Sequence, residues 1–277
     1  MKKVETEGVK KLKLDDFEVG RTLGKGIWKY NAGGFGKVKV AKNKKNGKYV
    51  ALKLLKKSEI IKAQQIDHVY NENFIHSQIN HPFIVSFEGL AQDSRYLYLV
   101  LELINGGELF TYLRSVESLP SEQCRFYAAT VTSCFEYLHS KNIIFRDLKP
   151  ENLLIGNDGY LKLTDFGFAK ILNEGRTFTI CGTPEYIAPE VILNQGHGKA
   201  VDWWTLGVLI YEMHAGIDPF SDDDTMGIYK NILKGKVSFP SIFDKEAREA
   251  KSLIRHLLVA DLSKRYGNLK DGKFDLM

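Results

Sequence analysis

The chain has 277 residues, of which 44% are hydrophobic and 26% are charged, with a formal net charge of +5. This composition is typical of a globular protein, and the length suits two compact parts with a cleft between them. No apolar run is long enough to span a bilayer, and the lysines are not interleaved with aromatic residues as on a nucleic-acid-binding surface. We therefore expect neither a membrane span nor binding of DNA or RNA.

The cysteine content predicts a reducing environment. Three cysteines, Cys124, Cys134 and Cys181, are too few for a disulfide framework and lack the spacing of a metal site. The first residues also lack the apolar core of a secretory signal. We therefore expect a cytoplasmic protein and leave nuclear entry open.

The first third of the chain has the pattern of a small antiparallel sheet. Apolar or alternating runs predict strands over 17–23, 37–42, 49–56, 84–90 and 96–103. Asn46-Gly47 is a hairpin turn signal between the second and third strands. A single helical pattern covers 58–79, and Pro82 prevents its continuation.

After Asn105-Gly106-Gly107 the pattern becomes helical. Apolar residues recur at helical spacing over 124–138, and the run around Trp203-Trp204 is apolar on all sides, as in a buried helix. Amphipathic helices are predicted near 225–234 and 245–258. The sequence thus predicts an α+β fold.

The predicted organisation has four parts. They are a flexible N-terminal extension over 1–16, a sheet lobe over about 17–103, a hinge at about 102–107 and a larger, mainly helical lobe over about 108–277. The cleft between the lobes is the expected ligand site.

One series of motifs carries most of the functional information. In order, these are Arg146-Asp147, Asn152, Asp165-Phe166-Gly167 and Ala188-Pro189-Glu190. Phosphoryl transfer develops charge on phosphate oxygens, so it needs cations, metal ligands and a placed acceptor oxygen. At this spacing Asp147 would orient the substrate hydroxyl, and Lys149 would contact the transferred phosphate. Asn152 and Asp165 are hard oxygen ligands suited to Mg²⁺.

From about residue 17 to residue 268 the chain resembles the catalytic domain of AGC-group eukaryotic protein kinases, and within that group the family of cAMP-dependent catalytic subunits. The further motifs that carry the resemblance are Phe126-Tyr127-Ala128-Ala129, Glu136-Tyr137-Leu138-His139-Ser140, Thr164-Asp165-Phe166-Gly167-Phe168-Ala169-Lys170, Cys181-Gly182-Thr183-Pro184-Glu185-Tyr186, Lys199-Ala200-Val201-Asp202-Trp203-Trp204 and Lys264-Arg265-Tyr266-Gly267-Asn268-Leu269. The resemblance implies a bilobal protein-kinase fold and a serine/threonine kinase activity that uses ATP and Mg²⁺.

The resemblance also assigns the nucleotide site. Lys53 would pair with Glu72 and bind the α- and β-phosphates, which makes both residues part of the catalytic set with Asp147 and Lys149. The adenine ring would lie between apolar side chains and bond to the backbone of the hinge. The nucleotide-binding residues that the resemblance implies are Leu23, Gly24, Gly26, Gly36, Val38, Ala51, Lys53, Leu101, Glu102, Ile104, Glu108, Glu151, Asn152, Leu154, Thr164 and Asp165.

Regulation follows from the same resemblance. Thr179 is the implied activation-loop phosphorylation site, and its phosphate would pair with Arg146, Lys170 and His68. A cyclic-nucleotide-binding regulatory subunit is implied as a partner, and it would be a separate polypeptide.

The implied substrates are proteins with basic residues before the acceptor Ser or Thr. Glu108, Glu151 and Glu212 would bind those basic side chains, although Glu212 can also be interpreted as a surface residue at a helix end. Ile180 and Ile187 would line an apolar pocket for the residue after the acceptor.

The glycine-rich loop departs from the family pattern. Removing residues 27–33 restores the pattern with Gly24, Gly26 and Gly36, and an alternative alignment uses Gly33 in the middle position. The longer loop adds only about 1 kcal/mol of closure entropy, so the fold should survive, whereas the grip on the phosphates should weaken. The insert is either an adaptation or an unremoved in-frame intron, and we favour the intron.

Two further departures concern the C-terminus and one helix. The chain ends at Met277, where the family continues through a last helix and a tail that helps to close the ATP site. His76 occupies a position that the family usually fills with an aliphatic residue, and we expect a satisfied or partly exposed side chain there. The rival interpretation is therefore a catalytically impaired kinase-like binding protein.

Overall fold

The computed structural model describes residues 9–24, 29–30, 34–35, 37–173 and 175–269. The chain divides into two compact units, Met1–Asn105 and Gly106–Met277, and this division falls within the residues predicted as a hinge. The first unit is built on an antiparallel sheet and the second is mainly helical, which confirms the predicted α+β class. In the described part of the chain, no helix is long and apolar enough to cross a membrane.

The first unit contains one main sheet and one short hairpin. Its strands are β1 (Phe17–Gly24), β2 (Lys29–Tyr30), β3 (Gly34–Phe35), β4 (Lys37–Asn43), β5 (Tyr49–Lys56), β6 (Phe87–Gln92) and β7 (Tyr96–Glu102). The main sheet has the order β1-β4-β5-β7-β6, with antiparallel neighbours throughout. Its central strand, β5, is buried from Val50 to Leu55. The predicted turn at Asn46-Gly47 is confirmed, since Gly47 has φ +71°.

The short hairpin begins within the insert over 27–33 and ends just after it. β2 and β3 pair antiparallel, with Lys29 opposite Phe35 and Tyr30 opposite Gly34. Gly26, Gly33 and Gly36 lie outside the described residues, as does the rest of the segment over 25–28 and 31–33. The predicted phosphate-binding roles of Gly26 and Gly36 therefore stay predictions.

The helix predicted over 58–79 is two helices, α1 (Lys57–Lys62) and α2 (Ile66–Ser77). The prediction of one helix was wrong because Gln64 adopts a left-handed backbone, with φ +56°, which ends a right-handed helix. His76 on α2 is only 3% exposed, and its Nε2 lies 2.7 Å from the carbonyl oxygen of Val85. The expectation of a satisfied histidine at this position is confirmed.

Residues 9–16, which belong to the predicted extension, lie along the edge strand β6. The amide of Leu90 donates to the carbonyl of Lys10 at 2.8 Å, and the amide of Leu12 donates to the carbonyl of Leu90 at 2.6 Å. Val9 is buried, and a short 3-10 helix, Leu14–Asp16, leads into β1. Apolar side chains and an open sheet edge account for this position. The predicted flexibility of 1–16 stays a prediction, and residues 1–8 lie outside the described residues.

The second unit contains the remaining elements. These are α3 (Leu109–Val116), α4 (Ser121–Ser140), β8 (Ile143–Ile144), β9 (Leu153–Ile155), β10 (Leu161–Leu163), β11 (Lys170–Ile171), α5 (Pro189–Ile192), α6 (Ala200–Ala215), α7 (Thr225–Lys234), α8 (Ile242–Lys245) and α9 (Arg248–Leu257). The helix predicted over 245–258 is thus preceded by a separate short helix, α8.

Helix α6 is the core of this unit. It is buried from Ala200 to His214, which confirms the buried helix predicted around Trp203-Trp204. Helix α9 packs so closely on it that a Cβ atom on Gly207 would lie 2.9 Å from side-chain atoms of Leu257 and Leu258. This rigid centre supports the loops described next.

Candidate active site

The loop after β8 presents a buried carboxylate between an ammonium group and an amide. Asp147 is 4% exposed, and its oxygens lie 3.2 and 3.1 Å from Nζ of Lys149. Nδ2 of Asn152 donates to the Asp147 carbonyl at 2.7 Å and to its Oδ2 at 2.9 Å. Burial, opposed by Lys149 and assisted by the nearby Asp165, raises the pKa of Asp147 to about 6.

Lys149 also contacts the segment that precedes the Ala188-Pro189-Glu190 motif. Its Nζ donates to Oγ1 of Thr183 at 2.9 Å, and that hydroxyl lies 3.3 Å from Oδ1 of Asp147. The sequence motifs did not single out Thr183 for a role. These contacts fix the ammonium group beside the carboxylate.

Asp202 holds the backbone of this loop in place. It is fully buried, and it accepts hydrogen bonds from the amides of Phe145 and Arg146 at 3.0 and 2.9 Å. It also lies 2.7 Å from Nε2 of His139. Arg146 has φ +70°, a strained conformation for a residue with a side chain. The sequence reasoning quoted Asp202 within a motif but gave it no role, because its partners are more than fifty residues away.

The two predicted metal ligands lie in the same unit as Asp147. The amide nitrogen of Asn152 is committed to Asp147, and no hydrogen bond among the described residues uses its Oδ1. Asp165 follows β10 with φ +64° and accepts from the amide of Gly167 at 3.2 Å. In the described chain no three His, Cys, Asp or Glu side chains form a metal cluster. One amide oxygen and one carboxylate fit Mg²⁺, which usually takes its other ligands from phosphates and water.

The first unit contains the predicted ion pair. Nζ of Lys53 on β5 lies 2.8 Å from Oε1 of Glu72 on α2. Their side chains are 4% and 2% exposed, so the pair is buried. A buried pair of this kind fixes the direction of the lysine more than it stabilises the fold.

The other predicted nucleotide-binding residues are distributed over both units. In the first unit Val38 lies opposite Lys53 in the sheet, and Ala51 lies opposite both Val40 and Leu101. The remaining members of that unit lie on β1 or at the end of β7, and they are Leu23, Gly24, Glu102 and Ile104. In the second unit Leu154 on β9 forms a bridge with Glu108, and the amide of Thr164 donates to the carbonyl of Asn152 at 2.9 Å.

The predicted phosphorylation segment belongs to the second unit. Thr179 is exposed, which a phosphorylation site requires. Nε of Arg146 donates to the carbonyl of Phe168 at 2.7 Å, whereas its buried Nη1 has no hydrogen-bond partner within the described residues. Nζ of Lys170 donates to Oγ1 of Thr177 at 2.8 Å. The backbone of His68 belongs to α2 of the first unit, and its side chain lies outside the described set.

The three predicted substrate carboxylates have different environments. Burial, with the nearby Glu151, raises the pKa of Glu108. Burial also raises the pKa of Glu212, which accepts hydrogen bonds from the hydroxyl of Tyr186 and, at 2.7 Å, from Nη2 of Arg114. Because Glu212 is only 3% exposed, its alternative interpretation as a surface residue was wrong. Its position inside α6 places it against the 3-10 helix at Pro184–Tyr186 rather than in solvent.

The residues predicted to line an apolar pocket differ in exposure. Ile180 is 56% exposed, whereas Ile187 is 6% exposed and packs near Gly182. Cys181 lies between them in sequence, and burial raises the pKa of its thiol. A thiol of this kind is a poor nucleophile.

The fold and this arrangement of side chains supply the groups that phosphoryl transfer requires. An aspartate beside a lysine, with an asparagine and a second aspartate nearby, supplies an acceptor-orienting group, a cation and metal ligands. The strand lysine and helix glutamate of the first unit are the further parts that the protein kinase class uses.

Comparison with known proteins gives the family. Residues 12–271 match the family described as "Protein kinase domain", and the chain belongs to this family. It is 50% identical to "cAMP-dependent protein kinase catalytic subunit 3" of Drosophila melanogaster over 98% of this chain and 44% of that protein. It is also 50% identical to "cAMP-dependent protein kinase catalytic subunit" of Dictyostelium discoideum, over 95% of this chain and 39% of that protein.

A shorter relative is matched over more of its length. "cAMP-dependent protein kinase catalytic subunit PRKX" of Mus musculus is 47% identical over 95% of this chain and 71% of that protein. The chain thus spans less than half of the first two relatives and about seven-tenths of the third. The predicted resemblance to AGC kinases, and among them to cAMP-dependent catalytic subunits, is confirmed.

Proposed function

We propose that this chain is an ATP-dependent protein kinase that transfers the γ-phosphoryl group to Ser or Thr in Arg/Lys-rich protein sites. The observation that carries the proposal is the network of Asp147, Lys149 and Asn152. It places a carboxylate, an ammonium group and an amide within hydrogen-bond distance of one another. Family membership supports the same activity.

Asp147 would accept a hydrogen bond from the substrate hydroxyl and orient its oxygen toward the γ-phosphorus. The new oxygen–phosphorus bond forms as the bond to the β-phosphate oxygen breaks, and Asp147 takes the hydroxyl proton. A pKa of about 6 leaves the group mainly ionised at neutral pH, yet basic enough to hold that proton briefly. Lys149 would balance negative charge on the transferred group.

Magnesium would be held by Oδ1 of Asn152 and the carboxylate of Asp165. When bound, it neutralises charge on the phosphate oxygens of ATP. The Asp147–Asn152 hydrogen bonds turn the amide nitrogen toward Asp147, so the amide oxygen is the atom available to the metal. Lys53, oriented by Glu72, would bind the α- and β-phosphates.

Substrate choice would rest on the carboxylates of the second unit. The charge of Glu151 helps to raise the pKa of Glu108 and that of Glu212. Several negative charges held close together attract a cationic side chain. Arg114 already pairs with Glu212, so a substrate arginine at that carboxylate would have to share or displace it. We therefore expect Glu108 and Glu151 to contribute more than Glu212.

Phosphorylation of Thr179 would regulate the activity. The unpartnered Nη1 of Arg146 and the ammonium group of Lys170 could then bind the phosphate with charge-assisted hydrogen bonds. The relatives named as cAMP-dependent catalytic subunits support a separate regulatory chain as a partner. A cytoplasmic location, in which the three free cysteines stay reduced, is part of the same proposal.

The deciding experiment compares this chain with Asp147→Ala in a Mg·ATP assay with an Arg-rich peptide. Asp147→Ala should lower kcat at least about 100-fold, because a positioned acid–base group contributes about 10²–10⁴-fold. Asp158→Ala, a change at an exposed turn, is the control and should leave kcat unchanged. Equal phosphorylation by the chain and by Asp147→Ala would contradict the proposal and favour an impaired kinase-like binding protein.

A second assay tests substrate choice. Replacing the arginines before the acceptor with alanine should raise KM, and adding salt should raise KM for the basic peptide only. Equal KM values for both peptides would show that the carboxylates do not select basic sites.

A further inference from the structure

A buried histidine lies beside the predicted phosphate site and belongs to none of the motifs. His197 precedes α6 and is 3% exposed. Among the described residues its imidazole makes no hydrogen bond, and its ring nitrogens are not fully enclosed. These nitrogens are therefore available to a further ligand.

The backbone fixes where this ring points. His197 and Thr177 form an antiparallel bridge, and each amide donates to the other carbonyl at 2.8 Å. Residues directly opposite each other in such a pair carry their side chains on the same face. The imidazole therefore lies on the face where Oγ1 of Thr177 accepts from Nζ of Lys170.

The intervening residue points the other way. Phe178 is 61% exposed, and its ring lies over Gly196, where a Cβ atom would be 2.9 Å from the ring. Thr179 is the next residue and is exposed, as a site of phosphorylation must be. Thr179 is thus two residues from a group of Lys170, Thr177 and His197.

The charges around His197 come from several elements. Arg146 after β8 and Lys170 on β11 are cations, and Glu190 on α5 and Asp202 on α6 are anions. Burial, and next the charge of Arg146, lowers the pKa of His197 to about 4. Glu190 and Asp202 are already bonded, to Arg265 and to the backbone of the catalytic loop. The ring is therefore neutral until a further negative charge arrives.

We propose that His197 is a further ligand of the phosphate on Thr179, which it binds as an imidazolium together with Arg146, Lys170 and the hydroxyl of Thr177. This inference rests on the proposed function, since it requires phosphorylation of Thr179. A phosphothreonine carries a charge of about −1.5 to −2 near neutral pH and has acceptor oxygens for several donors. Protonation of His197 would then couple the order of this segment to pH.

The test is histidine titration by NMR on the full chain, with Thr179→Ala as the unphosphorylated reference. The chain is incubated with Mg·ATP, alone and with an activation-loop kinase, and its phosphate is located by peptide mass mapping. Phosphorylation should raise the pKa of His197 by about 1 to 3 pH units, as an opposite charge at close range does. The resonance should disappear in His197→Gln and persist in His256→Gln, a change at a half-buried ring that stacks on Tyr266.

A second measurement does not depend on any histidine variant. The ³¹P shift of phospho-Thr179 should show two inflections between pH 5 and 8, one from the phosphate and one from His197. A single inflection, or a histidine that titrates at the same pH with and without the phosphate, overturns this inference alone. If Thr179 never becomes phosphorylated, the proposed regulation is overturned as well. Peptide mass mapping distinguishes that outcome from the first one.

Discussion

Asp202→Asn is the change that most directly tests how the fold positions the catalytic loop. In the native protein Oδ1 accepts from the amide of Arg146, and Oδ2 accepts from the amide of Phe145 and contacts Nε2 of His139. Asparagine has nearly the same shape but only one oxygen. Whichever way the amide is turned, at least one buried donor would face an NH₂ group.

The magnitude follows from that lost acceptor. A hydrogen bond to a charged group contributes about 1.5–3 kcal/mol, and a buried donor without an acceptor carries its desolvation penalty. We expect a loss of about 2–3 kcal/mol in the free energy of unfolding and a fall in Tm of roughly 5–10 °C. Arg146 would also lose the bond that holds its left-handed backbone, at φ +70°. A displacement of about 1 Å at the adjacent Asp147 would lower kcat about 100-fold.

Steady-state kinetics and thermal unfolding together measure both effects. Because the nucleotide-binding residues of the first unit are untouched, KM for ATP should change far less than kcat. Asp158→Asn, at an exposed turn, is the matched control. If Asp202→Asn keeps kcat within about twofold and Tm unchanged, the argument that Asp202 positions the loop is wrong.

Three other predictions concern stability and the glycine-rich loop. Arg265 pairs with Glu190 through two hydrogen bonds, at 2.7 and 2.9 Å, so Arg265→Met alone should cost about 3–5 kcal/mol in urea unfolding. Adding Glu190→Leu should recover much of that loss, and equal losses in the single and double variants would contradict a buried-charge penalty. The pKa of His197 is lowered to about 4 in the unphosphorylated fold, so between pH 6.5 and pH 4 the unfolded chain binds a proton that the native chain does not. The free energy of unfolding should therefore fall with decreasing pH in that window, by at most about 1.4 kcal/mol per pH unit, and it should fall less steeply in His197→Gln. If plots of this free energy against pH are parallel for the two proteins, the prediction is refuted. Deleting residues 27–33 should change stability by only about 1 kcal/mol and lower KM for ATP, and an unchanged KM would show that the insert does not weaken the phosphate grip.

Short-range sequence patterns predicted the secondary structure well where the conformation depends only on neighbouring residues. Asn46-Gly47 marked a real hairpin because a left-handed Gly47 is a property of the turn itself. The prediction of one helix over 58–79 was wrong in the middle. The apolar pattern continues through Gln64, and no local sequence signal indicates that this residue adopts a left-handed backbone. Glu212 was ambiguous for a similar reason, because its position within α6 does not reveal that Tyr186 and Arg114 cover it.

By itself, the sequence determined the family and the identity of the acid, cation and amide around Asp147, and the family resemblance implied the Lys53–Glu72 pairing. These depend on residue types at fixed spacing, and the chemistry of phosphoryl transfer restricts those types severely. Tertiary structure alone decided that Asp202 supports the catalytic loop and that His197 shares a face with Thr177. Both depend on contacts between segments that are far apart in the sequence. No local pattern of residues relates such segments, so only the packing of the folded chain brings them together.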